Sequence, residues 1–220
     1  MNRLMFFVTL FFASLLGSLT VSADAANPVI SIETNHGEIT LELDRVKAPI
    51  TVDNFMKYVE NRHYDGTLFH RVMESFMIQG GGFDQDFNDK KTLDPIKNEA
   101  NNGLSNVRGS VAMARTNDPH SATAQFFVNV VDNDFLDFKA PNGASWGYAV
   151  FGKVTHGMDV VDKIRKVAVG NFQGHGNVPF CSYLVYLRSA LKCRSARYRA
   201  AISLLHAKKR SRCGGAVYSW

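Results

Sequence analysis

Phe69-His70-Arg71-Val72-Met73-Glu74-Ser75-Phe76-Met77-Ile78-Gln79-Gly80-Gly81-Gly82 decides how the rest of the chain is read. An apolar run carrying one arginine meets a polar break at Glu74-Ser75. A second apolar run then carries one glutamine and ends in three glycines. Runs this short suit half-buried β-strands. Strict alternation puts Phe69 and Arg71 on the same face. Phe76 and Met77 fall just past the break, where a backbone irregularity lets both reach one pocket. An arginine and a glutamine bordering Phe and Met make a shallow apolar site with a few fixed donors. The glycines permit positive φ and close backbone approach. The plainer alternative is an amphipathic hairpin with a solvated Arg71.

Working outward toward the N-terminus, residues 29–34 and 38–43 alternate or run apolar around Asn35-His36-Gly37, which predicts a hairpin with His36 in its turn. Pro49 and Thr51 open a helix that Thr51 can cap, with Val52, Phe55, Met56 and Val59 at i, i+3, i+4 and i+7. Toward the C-terminus, Asp84, Asp86 and Asn88 have calcium-loop spacing. Asp89 stands where that loop needs Gly and Pro95 where it needs Glu, so a solvated loop is the reading. Residues 109–115, 124–130 and 148–154 read as strands. In the second, Gln125, Phe127 and Asn129 share one face while Phe126, Val128 and Val130 share the other. Met158 to Val167 reads as a second amphipathic helix, with Val160, Val161 and Ile164 on its apolar side. Many short strands, close turn signals and two helices argue for an antiparallel barrel capped by helices. Gly80-Gly81-Gly82 follows a strand but opens no helix, so it fails the dinucleotide-binding context.

The chain has 220 residues and a formal charge of +5, which is unevenly spread. Residues 180–220 hold nine Lys or Arg and no acid, leaving 25 − 9 = 16 basic against 20 acidic residues in 1–179. The body is mildly acidic and the C-terminal extension alone makes the chain basic. Arg3 followed by the apolar stretch from Leu4 to Leu16, with small residues at 21–25, reads as a secretory signal cleaved after Ala23 or Ala25. Its apolar run is shorter than the roughly 18 residues of a membrane span, which makes an uncleaved anchor the lesser alternative. Cys181, Cys193 and Cys213 all lie in the extension, and an odd, widely spaced set forms neither a disulfide framework nor a zinc site.

The opening stretch resembles the signature of the cyclophilins, the peptidyl-prolyl cis–trans isomerases, in their bacterial exported form. The likeness continues in the same order through Met113-Ala114-Arg115, Gln125-Phe126-Phe127, Phe135-Leu136 and Tyr148-Ala149-Val150-Phe151-Gly152-Lys153, covering about Ile32 to Val169. It implies a mainly β fold, a closed antiparallel eight-stranded barrel capped by two α-helices. It implies Arg71 as the catalytic arginine and Gln79 as the substrate-orienting glutamine, with no metal and no cofactor. Phe76, Met77, Phe127 and Leu136 would line the pocket for a proline ring, while Ala114, Arg115 and Gln125 border the neighbouring peptide groove. Arg115 stands where many members have Asn. Phe135 replaces a tryptophan that many eukaryotic members use to hold cyclosporin, and Tyr148 replaces a histidine on the pocket rim. Weak cyclosporin binding at most is therefore expected.

The implied organisation is a signal over 1–25, an isomerase domain over 26–179 and an atypical basic extension over 180–220. The text changes abruptly at Phe180 and reads as an out-of-frame or fused addition. Residues 183–187 offer a substitute last strand, and little order is expected beyond them. The expected partners are proline-containing unfolded or flexible polypeptides in the periplasm. The protein is expected to be a monomer, without nucleic acid and without stable membrane insertion after signal cleavage. The competing class is a non-catalytic proline-peptide-binding module or holdase using the same groove. A basic extension for anionic membrane or polyanion is the weaker third.

Overall fold

The computed structural model describes residues 27–180 and the backbone of 186–191. The proposed signal and the rest of the extension lie outside the described residues. β1 (Val29–Thr34) and β2 (Gly37–Leu43) form the expected hairpin. Its alternation is literal: Ile30 faces Leu41 and Ile32 faces Ile39, and all four are buried. Gly37 has φ +134°, and a side chain there would meet Val160 Cγ2 at 2.9 Å, so the hairpin tip lies tight against the second helix.

α1 (Pro49–Glu60) buries Val52, Phe55, Met56 and Val59, as the 3.6-residue spacing requires. Phe55 meets Tyr64, Phe126 and Phe151 at centroid distances of 4.9, 5.5 and 5.1 Å, which plugs the helix into the sheet's aromatic interior. Thr51 is not the cap. The helix begins two residues earlier with Pro49 in its first turn, where a missing N–H costs nothing. Its free N–H groups are met from far along the chain instead. The Glu99 carboxylate accepts from the N–H of Ile50 and Thr51 and from Thr51 Oγ1, at 2.7–3.1 Å.

β3 (Thr67–Met73), β4 (Met77–Gly80), β5 (Ser110–Met113), β6 (Phe126–Asn129) and β7 (Val150–His156) complete a curled antiparallel sheet in the order β3-β4-β6-β5-β7-β2-β1. Cross-strand neighbours share a face. Val72, Ile78, Val128 and Val111 are successive partners, and they belong to the interior core together with Ile30, Leu41, Phe69, Phe126 and Phe151. Each such buried side chain contributes about 1.5–3 kcal/mol relative to exposure. α2 (Met158–Ile164) adds Val160, Val161 and Ile164 to the same core, ending before the expected Val167.

Phe69 and Arg71 do not share a face. Phe69 is opposite Gly80 and Arg71 is opposite Gln79, so the register slips by one residue between them. His70 is the extra residue of a β-bulge, and the alternation rule fails there for that reason. Phe69 is fully buried in the core; Arg71 emerges on the other face.

A hairpin that the sequence reading did not identify follows α2: β8 (Val169–Phe172) with β9 (His175–Pro179). Its Val178 packs on Leu68, Phe83 and Phe87 outside the main core. The body itself therefore provides a seven-stranded curled half-barrel rather than the closed eight-stranded barrel expected. The remaining place between β1 and β3 is taken by β10 (Tyr186–Leu191), drawn from the basic extension. β10 runs along β1 from Ile30 opposite Leu191 to Glu33 opposite Arg188, and meets β3 only where Tyr186 and Leu187 face Leu68 and Thr67. The described strand overlaps the expected 183–187 at Tyr186 and Leu187 and continues to Leu191, while 183–185 lie outside the described residues.

Candidate active site

The outer face of the sheet carries a second row of partners. Arg71 on β3 faces Gln79 on β4, Gln79 faces Phe127 on β6, Phe127 faces Ala112 on β5, and Ala112 faces Val150 on β7. One line across five strands thus runs from a cation through an amide to an aromatic floor and an aliphatic wall. The cation is placed there by the His70 bulge. Without it, Arg71 would point into the core.

Met77, Ala112, Phe127, Leu136 and Val150 form a buried apolar cluster distinct from the core, with Met73, Phe76, Leu104, Ala114 and Tyr148 packed against its edges. Phe76 and Met77 do reach one pocket, because Phe76 closes a tight turn onto the Met73 carbonyl (3.1 Å) before β4 begins. Phe135 stands mostly exposed at the rim and stacks on Phe76 at 5.6 Å and 27°. Tyr148 meets Phe127 edge-on at 5.7 Å.

The polar groups converge beside this cluster. Arg71 Nη1 donates to Gln79 Oε1 at 3.4 Å, and Gln79 Nε2 donates to Gln125 Oε1 at 2.9 Å. The first bond is long, so the guanidinium is aimed but not consumed. Gln125 lies next to Ala114, whose N–H donates to the Gln125 carbonyl at 2.9 Å. Arg115 turns away from the Arg71 line. Its Nε donates to the Gly147 carbonyl at 2.9 Å and its Nη1 to the Thr116 carbonyl at 2.8 Å, and its guanidinium carbon lies 4.5 Å from the Tyr148 ring centroid. All eleven residues proposed from the sequence thus lie on or beside one outer-face patch.

Sequence reasoning passed over three contributions. Ala112 and Val150 complete the pocket wall, and strand parity alone would have found them; Leu104 comes from a loop and carries no such signal. His70 is 5 % exposed, with its ring 4.7 Å from that of Phe83. Burial, then the charges of His175 and Arg71, push its imidazole down to about 4, so it is neutral at neutral pH. The third is a buried amide network. Asn133 Nδ2 donates to the Phe76 carbonyl (3.0 Å) and to Asn129 Oδ1 (2.7 Å). Asn129 Nδ2 donates to Asn106 Oδ1 (3.1 Å) and Ser110 Oγ (2.8 Å), and Asn106 donates to Asp137. It ties the Phe76 turn to the segment carrying Phe135 and Leu136.

The family profile described as cyclophilin type peptidyl-prolyl cis-trans isomerase matches residues 29–179. A peptidyl-prolyl cis-trans isomerase of Streptomyces antibioticus is 60 % identical over 152 residues, covering 68 % of this chain and 90 % of that protein. Peptidyl-prolyl cis-trans isomerase B of Escherichia coli K12 is 56 % identical over 151 residues, covering 69 % and 92 %. Among solved structures, a cyclophilin-type isomerase of Cryptosporidium parvum crystallised in the presence of the dipeptide Ala-Pro superposes with a TM-score of 0.60 at 20 % identity. That match covers 75 % of this chain and 99 % of the other, and it supports the fold.

Proposed function

The chain belongs to the cyclophilin-type peptidyl-prolyl cis–trans isomerases, and from that premise we propose that Arg71 is its catalytic donor, Gln79 its substrate-orienting group and the outer-face cluster its proline pocket. An X–Pro amide resists rotation by roughly 18–20 kcal/mol because the nitrogen lone pair is delocalised into the carbonyl. Unaided, it turns over in tens of seconds or more. No bond need break. The twisted state frees the lone pair, so the prolyl nitrogen becomes pyramidal and basic. A donor placed at that nitrogen is strengthened only there, which lowers the barrier rather than merely tightening binding. Phe76, Met77, Phe127 and Leu136 grip the ring while Gln79, held by Gln125, fixes the neighbouring carbonyl, so one end of the amide turns against the other. Ala114, Arg115 and Gln125 flank the peptide, with Phe135 and Tyr148 at the rim. The observation that carries this assignment is the outer-face line from Arg71 through Gln79 to Phe127.

In this reading the clients are unfolded or flexible proline-containing polypeptides undergoing export. Residues 1–25 act as a cleaved signal, and the mature chain is a periplasmic monomer in which β10 closes the half-barrel into eight strands. The motifs of the opening residues and the order of the ladder support that picture. Exchange spectroscopy on an X–Pro peptide tests the chemistry. The protein lacking residues 1–25 is expected to accelerate cis–trans exchange, and Arg71→Ala to lose about 10²–10³-fold in kcat/KM. A folded protein that binds the peptide without accelerating exchange would leave only the binding-module or holdase reading. The mass of the chain recovered from a periplasmic extract tests export, since removal at Ala23 or Ala25 gives two distinct values.

A further inference from the structure

Arg115 brings a charge to the groove that the fold does not match with a carboxylate. Its guanidinium is half-buried, held by the Gly147 and Thr116 carbonyls and lying against the Tyr148 ring. Those contacts fix its position without neutralising it. Among the described residues, the ion pairs use Arg45, Arg108, Lys153, Lys163 and Arg165, and none engages Arg115. Residues 1–179 hold 20 acidic against 16 basic side chains, so carboxylates are not scarce. Only the Tyr148 ring separates this cation from Phe127 on the pocket floor.

Building on the isomerase reading, we propose that Arg115 is a specificity-determining residue: it favours substrates with an acidic side chain at one of the two positions preceding the proline. The side follows from the line of amides. With Arg71 at the prolyl nitrogen, the preceding peptide runs past Gln79 and Gln125 to Ala114, and Arg115 is the next residue. A guanidinium already positioned loses little side-chain freedom on pairing, and its planar fork matches a carboxylate.

The test uses peptides differing only in Glu, Gln or Lys at each of the two positions before proline, with Kd and kcat/KM measured on the mature protein. Glu is expected to exceed Gln by about twofold to fivefold at one position at low ionic strength, the range of a partly exposed ion pair, with Lys below Gln. The advantage should shrink as salt rises from about 0.01 M to about 1 M. In Arg115→Gln the Glu-to-Gln ratio should fall to about one, whatever happens to the rate on the Gln peptide, while Arg115→Lys should keep part of it. A ratio near one at both positions in the unaltered protein, or a ratio that survives Arg115→Gln, overturns the proposal. Should Arg115→Gln not fold, the salt series on the unaltered protein still decides. A Glu-to-Gln difference in Kd without turnover on any peptide would sink the isomerase reading and leave the preference standing.

Discussion

At His70 the interior and exterior of β3 part company, and that single residue carries a measurable pH signature. Its imidazole ordinarily titrates near 6.5; in the folded protein, burial chiefly holds it down to about 4. Between those values the unfolded chain binds a proton that the folded chain refuses, so stability is complete above about 6.5 and is lost as pH falls toward 4. At 1.36 kcal/mol per unit the loss is at most about 3–4 kcal/mol. Urea unfolding at pH 7, 5.5 and 4.5 should show that fall, and His70→Gln should show a shallower one. Equal slopes would mean that the imidazole is not held neutral. At this scale the grouping of the candidate site was legible, since Arg71, Gln79 and Phe127, named together from motif order, fall on one line across the sheet. What parity could not supply was the side on which Arg71 emerges relative to Phe69. Alternation assumes a continuous ladder, and nothing in Phe-His-Arg announces that His is the residue left out of it.

Among the elements, β6 does two jobs on alternate residues. Phe126 and Val128 fill the core, while Phe127 floors the pocket and Asn129 anchors the amides behind it. Asn129 is fully buried and joins Asn106, Ser110 and Asn133, so removing its amide takes one partner from each of the three and leaves the Asn106 carbonyl oxygen without its donor. Asn129→Ala is expected to cost about 2–4 kcal/mol in denaturant unfolding, since each buried group left without a partner costs about 1–3 kcal/mol. Because Asn133 then loses its tie while still holding the Phe76 carbonyl, KM for an X–Pro peptide should rise more than kcat falls; an unchanged KM would show that the pocket needs no such support. The elements were read well where an apolar period ran unbroken, as in α1 and the β1–β2 hairpin. They were misjudged where a distant residue intervened. Glu99 meets the start of α1 from 48 residues away from Thr51, which no local capping rule can see. The β8–β9 hairpin was overlooked because Val169-Gly170-Asn171-Phe172 offers little alternation, and its Val178 is buried against residues distant in sequence, Leu68, Phe83 and Phe87.

For the whole molecule, the open question is posed by β10. The body's own strands leave β1 and β3 with unpaired edges, and exposed edges invite pairing with other chains. A protein ending at Pro179 is expected to lose about 3 kcal/mol, lowering the thermal midpoint by roughly 6–12 °C for a chain of this size, and to scatter light as it associates. An unchanged midpoint without association would show that β10 adds nothing. The composition change at Phe180 signalled a different text but not its placement, because the pairing with Ile30–Glu33 is made by backbone groups that any sequence owns. The bulge at His70 has a wider consequence. Past it, the chain spells two messages on alternate letters: Val72, Ile78, Val128 and Val111 say how to stand, while Arg71, Gln79, Phe127 and Ala112 say what to present. Two letters added or removed within β3 would leave both messages intact, whereas a single letter would exchange them. The molecule can therefore rewrite what it presents one letter at a time, provided the count is kept.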